Sequence, residues 1–127
     1  MIVLICGDRN WTNEDLIREK ILEYNPKVIL EGDARGADKI AGKLAKELGI
    51  DLIVFPAKWS IYGKSAGPMR NREMLSIGLP ELVLAFHNDI VSSKGTKDMI
   101  KAGLKGGVRV RLFTEKREED LFALGLY

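Results

Sequence analysis

Two short stretches combine glycine with a cationic side chain where the chain turns into a helix. The first, Gly32-Asp33-Ala34-Arg35-Gly36, separates the apolar run Val28-Ile29-Leu30 from Ile40, Ala41, Leu44, Ala45 and Leu48 at helical spacing. The second, Ser93-Lys94-Gly95-Thr96, precedes Met99, Ile100 and Leu104. The first amides of a helix lack an intrahelical acceptor and carry the positive end of its dipole, so a glycine turn at that point presents donors to an anion. The chemistry on offer is phosphate binding. Arg35, Arg70, Lys64 and Lys94 supply cations, the arginines with a planar fork that matches a phosphate edge. Arg35 and Arg70 could equally pair with Asp33, Asp38 or Glu73 as scaffold, and Thr96 could simply cap its helix. Two arginines, two lysines and several loose amides directed at one mouth favour phosphate.

Acid and base groups are fewer. Asp8 and Asp98 could hold a ribose hydroxyl, a Mg²⁺-bound water accompanying a nucleotide, or nothing. His87 follows an apolar run and could move a proton near neutral pH. Asp38, in the first turn of its helix, is explained by the dipole alone. Trp11 and Trp59 could stack on a base, with a packed lid as the alternative for Trp59. Cys6, inside an apolar run, reads as core.

The elements that must position these groups follow from patterning. Ile2–Cys6 and Leu82–Phe86 are apolar at every position, as central parallel strands covered on both faces are. Val28–Leu30 and Leu52–Phe55 are two more strands, the latter ended by Pro56. Val108–Leu112 alternates polar and apolar, which predicts an edge strand with one solvated face. Helices are expected after a Thr12 or Asn13 cap as far as Asn25-Pro26, from the Gly36 turn to Gly49, from about Met69 to Ile77, and from Thr96 to Gly106-Gly107. Residues 57–68 form the longest connection. The apolar ending Leu121–Tyr127 should dock somewhere.

Strand alternating with helix predicts a doubly wound α/β domain over residues 1–127, with about five parallel strands in the order 3-2-1-4-5. Ligands in such sheets bind beyond the carboxyl ends, beside the switch point. The loops Gly7–Trp11, Gly32–Asp38 and His87–Thr96 meet there, with Ala57–Arg70 able to fold over them.

Composition narrows the function. The chain has 127 residues, one Cys and one His, which argues against a disulfide and against a zinc site. A net charge of +2 is small for a nucleic-acid binder. No apolar run approaches the roughly 20 residues of a membrane span, and the N-terminus lacks a signal-peptide layout, so a cytoplasmic location is expected.

With these residues assembled, the chain resembles the YspA/YpsA-related branch of the SLOG superfamily from Ile2 to about Leu112. The resemblance rests on Gly7-Asp8-Arg9, Gly36-Ala37-Asp38, Pro56-Ala57-Lys58-Trp59, Gly63-Lys64-Ser65-Ala66-Gly67-Pro68, Arg70-Asn71-x-x-Met74 and Ser93-Lys94-Gly95-Thr96 in that order. It implies a Rossmann-like fold that binds nucleotides or nucleotide-derived ligands, in a superfamily that includes the LONELY GUY phosphoribohydrolases, the single-strand DNA loader DprA and nucleotide-signal sensor domains. Arg70-Asn71-Arg72-Glu73-Met74 is similar to the phosphoribohydrolase Arg-Lys-x-x-Met and makes Arg70 the counterpart of its functional arginine. Ser93-Lys94-Gly95-Thr96 is similar to the Pro-Gly-Gly-x-Gly-Thr loop without its first two glycines. The position of the catalytic glutamate in those enzymes is Met99 here, and Asp98 falls one residue short, about 100° away around a helix.

Three classes of function fit such residues: a nucleotide-ligand binding or sensing module, a nucleoside-monophosphate phosphoribohydrolase with a shifted carboxylate, and a single-strand nucleic-acid binder. The missing glutamate counts against the second and the modest charge against the third. The expectation is the first, with Gly7, Arg9, Gly32, Asp33, Arg35, Gly36, Asp38, Lys64, Arg70, Asn71, Ser93, Lys94, Gly95 and Thr96 at the ligand. Catalysis, if present, would fall to Asp98, Asp8 or His87. A homodimer is expected from the apolar closing segment.

Overall fold

A computed structural model describes residues 1–127. Six strands form one sheet: β1 (Ile2–Gly7), β2 (Val28–Glu31), β3 (Asp51–Val54), β4 (Leu82–Phe86), β5 (Arg109–Phe113) and β6 (Glu118–Glu119). Their order is β3-β2-β1-β4-β5-β6, with every pair parallel except β5–β6. The switch point lies between β1 and β4, where Val3 stands beside Leu82 and Gly7 beside Phe86.

The all-apolar strands alternate sides and so build two cores. Val3, Ile5, Ile29, Leu82, Leu84 and Phe86 meet α1 (Glu14–Tyr24) and α2 (Ala37–Glu47). Leu4, Cys6, Leu30, Val83 and Ala85 meet α4 (Ala66–Ser76) and α5 (Gly95–Lys105). The Asn13 carboxamide caps α1 by accepting from Leu16 N at 3.1 Å, and Asn25 closes that helix in the left-handed region. Gly49 follows α2 with φ +70°, in the role expected of it.

Several local expectations are corrected. The connection 57–68 is largely helical: α3 (Trp59–Tyr62) and a 3-10 turn at Gly63–Ser65 lead into α4, which begins at Ala66, before Met69. Pro68 is tolerated because the first turn of a helix has amides without intrahelical acceptors. The third strand runs Asp51–Val54, one residue early, although Phe55 N still bonds Glu31 O. The fifth is Arg109–Phe113 and is not the edge, because β6 pairs antiparallel beside it. Arg111 braces that pairing. Its guanidinium meets the Glu118 carboxylate through Nε and Nη2, both at 2.5 Å, and reaches Tyr24 Oη through Nη1. The polar side of β5 is thereby partly covered at Arg111, while Arg109 stays exposed. A two-residue strand is too short to leave a periodic signal.

The closing segment docks through Leu121, Leu124 and Leu126 onto the α4/α5 core, while Phe122 and Tyr127 point outward. No helix is long and apolar enough to cross a membrane.

Candidate functional site at the carboxyl edge

The β2–α2 turn has two sides, and they do different things. Its inner side holds acids. Glu31, the last residue of β2, is 3% exposed, and its Oε1 accepts the Asp33 amide at 2.5 Å. Asp38, 5% exposed in the first turn of α2, accepts the Ala34 amide through Oδ2 at 3.2 Å. Burial pushes the Glu31 carboxyl up to about 7 and the Asp38 carboxyl up to about 6, the latter against the pull of Arg70. Burial also lifts the Cys6 thiol far above its usual range, with the Asp38 charge adding to the effect. The dipole alone therefore does not account for Asp38. Nor are all the turn's amides open to an anion, since Ala37 N donates to Asp8 O and those of Asp33 and Ala34 serve the chain's own carboxylates.

Arg70 reaches this side from α4. Nη1 donates to Gly32 O at 2.5 Å and approaches Phe55 O at 3.5 Å, while Nε donates to Asn71 Oδ1 at 3.0 Å. A Cβ on residue 32 would overlap that guanidinium, which is why glycine stands there. Asn71, 4% exposed, carries the link onward: its Nδ2 donates to Gly95 O at 3.3 Å and to Asp98 Oδ2 at 3.0 Å. Arg72 holds the same Asp98 oxygen at 2.6 Å. Arg70, Asn71 and the start of α5 thus form one connected unit.

At that start Lys94 makes no side-chain cap, and the amides of Gly95 and Thr96 enter no backbone hydrogen bond. Ser93 Oγ accepts Lys97 N at 3.3 Å, so it supports the helix in the role considered for Thr96, which is 7% exposed. A Cβ on Gly95 would meet open space. Lys94 and Lys64 are exposed. Met99, 1% exposed, belongs to the core, and the Asp98 carboxylate is pinned by two nitrogens.

The outer side faces the β1–α1 loop. Gly36, with φ +81°, lies against the carbonyls of Asp8 and Arg9, a backbone state and approach that a side chain would oppose. Arg35 Nη2 lies 3.5 Å from Asn10 Oδ1, and Asp33 pairs with Lys39 at 2.8 Å. Neither Arg35 nor Arg70 forms an ion pair with Asp33, Asp38 or Glu73, although the Arg70 charge acts on Asp38 from nearby. Near the switch point His87 Nδ1 accepts the Asp89 amide, which directs Nε2 toward Asp8 Oδ2 at 3.9 Å. Gly7 stands beside Phe86 at the end of β1, and Asp8 N donates to Phe86 O.

The aromatics divide. Trp11 is 3% exposed, donates Nε1 to Asn13 O and meets Phe86 edge-on at 5.7 Å, so it is core and not a stacking platform. Trp59 is 49% exposed, and the Arg9 guanidinium sits 6.0 Å from its ring centre. It also overlies Gly67 at the head of α4, spanning two of the converging loops as a lid residue would. No three His, Cys, Asp or Glu side chains come together to hold a metal.

Sequence reasoning missed Glu31. It ends an apolar run, and the signal available was a carboxylate continuing a strand whose neighbouring positions are all buried.

Comparison with known proteins agrees with the architecture. The chain is similar to the Gene 61 protein of Mycobacterium phage D29, 33% identical over 124 residues that cover 90% of this chain and 97% of that protein. Its fold is similar to that of DNA processing protein A (DprA) from Streptococcus pneumoniae, with a TM-score of 0.67 at 20% identity over 87% of this chain. The chain spans about half of that structure, covering 49% of it. The model of the YspA, cpYpsA-related SLOG family matches residues 1–62. On these grounds, and with the parallel 3-2-1-4-5 core in place, the chain belongs to the YspA, cpYpsA-related SLOG family.

Proposed function

We propose that the chain binds a nucleotide-derived ligand through its phosphate at the carboxyl edge of the sheet, as a binding or sensing module. The phosphate lies between the start of α4, the start of α5 and the inner side of the β2–α2 turn. The observation that carries this reading is the state of Arg70. Its Nε and Nη1 are held by chain acceptors, so the fork is oriented in advance, while Nη2 has none. Asn71 ties this arginine to the α5 start, where the Gly95 and Thr96 amides are open. A fixed guanidinium edge and helix-start amides together form a phosphate cradle.

The same arrangement argues against base release. Cleaving an N-glycosidic bond asks for a proton donor to the leaving base and a group that stabilises charge on the ribose. Met99 offers neither, and Asp98 is committed to Asn71 and Arg72.

Titration with AMP tests the proposal. At about 100 times its dissociation constant, AMP should stabilise the protein by roughly 2.7 kcal/mol. Arg70→Lys keeps the charge and loses the fork, so AMP affinity should fall at least about tenfold, with the unliganded melting temperature lower by a few degrees because the bonds to Gly32 O and Asn71 Oδ1 cannot both be kept. Chromatography of the incubated AMP should find no free adenine. Equal AMP affinity in Arg70→Lys would remove Arg70 from the site, and robust adenine release abolished by Asp98→Asn would make the protein a hydrolase.

A further inference from the structure

We infer that the outer side of the β2–α2 turn carries a second anion site, a donor-lined groove that takes a chain of linked phosphates. The groove has a volume of about 600 Å³ and runs between the β1–α1 loop and the first turns of α2. Arg9, Asn10, Thr12, Arg35, Lys39 and Lys43 line it, with Glu14 the one carboxylate among them. None of Arg70, Asn71, Gly95 and Thr96 does, so this inference does not rest on the function proposed above.

The charge is usable. Arg9 and Arg35 are exposed and take part in no ion pair. Lys39 pairs with Asp33 at 2.8 Å and Lys43 with Glu14 at 3.1 Å, but both lysine side chains are about 60% exposed. Exposed pairs of that kind contribute little, so a polyanion can displace them. The amides of Arg35 and Gly36 enter no backbone hydrogen bond and add further donors.

The groove is also preformed. Ala37 N donates to Asp8 O at 3.1 Å and Gly36 lies against the Asp8 and Arg9 carbonyls, so its two walls are joined at the base. Lys39 and Lys43 stand one helical turn apart, about 6 Å along the axis. That row, continued by Arg35 and Arg9, suits an extended phosphate chain better than a single phosphate. Exposed Trp59 beside Arg9 offers a flat face at one end of it.

Two probes test the groove and separate the sources of such a chain: sodium tripolyphosphate by calorimetry, and a fluorescein-labelled 15-residue oligothymidylate by anisotropy. Binding should weaken steeply between about 50 mM and 200 mM salt, as release of counterions requires. Arg9→Gln/Arg35→Gln should lose at least about tenfold in affinity for whichever probe binds, and its melting temperature should stay within a few degrees. Lys101→Gln/Lys105→Gln removes the same charge at the far end of α5 and should change affinity by less than about twofold. If the arginine variant does not fold, Lys39→Gln/Lys43→Gln replaces it with the same expectation. Preference for the oligonucleotide assigns the groove to a nucleic-acid strand, and preference for tripolyphosphate assigns it to a nucleotide's phosphate tail. Absence of binding by both probes at low salt overturns the inference, as does equal loss in the two charge-matched variants. AMP affinity retained by Arg9→Gln/Arg35→Gln and lost in Arg70→Lys would show two separate sites, and failure of AMP alone would leave the groove standing.

Discussion

At the scale of single residues, burial pushes up both carboxyl groups beneath the β2–α2 turn, Glu31 and Asp38. Glu31 titrates near 7 because burial penalises its charge, against an ordinary value of 4.5. Between those values the folded chain keeps a proton that the unfolded chain releases. Its contribution to stability is therefore complete below pH 4.5 and is lost as pH rises through 7. Glu31→Gln removes the titration and keeps an oxygen for the Asp33 amide. Its melting temperature should exceed that of the wild type at pH 8 by a few degrees, equivalent to about 1 kcal/mol, and the gain should vanish at pH 4. Melting curves at the two pH values check this, and a gain of equal size at both would mean that Glu31 does not titrate as described. Asp38 carries the same sign with a lower endpoint, its carboxyl being held near 6.

At the scale of elements, β6 depends on one side chain. Arg111 binds Glu118 with two nitrogens and Tyr24 with the third, its guanidinium lying 5.9 Å from the ring centres of both Tyr24 and Phe113. The pairing raises the Arg111 pKa and lowers that of Glu118 below the usual carboxylate range. Lysine cannot reproduce a two-point contact to a carboxylate. Arg111→Lys should cost about 1 kcal/mol, with amide exchange accelerating first at Glu118 and Glu119. Unchanged exchange there would place the anchoring of β6 in its backbone pairing alone. A charge five residues beyond the end of β5 is not legible as its partner from sequence, because the turn at Thr114–Arg117 decides which side chains face each other.

At the scale of the whole molecule, apolar surface remains uncovered at β3, α3 and the closing segment. Ile53 is 48% exposed, Ile61 69% and Phe122 76%. Surface of this kind is commonly covered by a second copy. Light scattering at micromolar concentration should give twice 14.2 kDa, and a monomeric mass would discard the homodimer.

The sequence by itself determined the sheet. Ile2–Cys6 and Leu82–Phe86 are apolar throughout, and only central strands with helices on both faces bury such runs, so the order 3-2-1-4-5 followed from pattern alone. It also indicated which loops meet at the carboxyl edge, since parallel topology places them there. Tertiary structure decided what those loops do. Glu31 and Asp38 became buried acids because α2 settles on the end of β2, and the amides nearest them went to the chain's own carboxylates. Trp11 turned inward onto Phe86, while Arg9, Arg35, Lys39 and Lys43 gathered into one groove from two separate loops and a helix. Periodicity reports which face of an element is buried. It does not report which polar groups from distant elements end within hydrogen-bonding distance, and that set governs charge, proton affinity and the shape of a site.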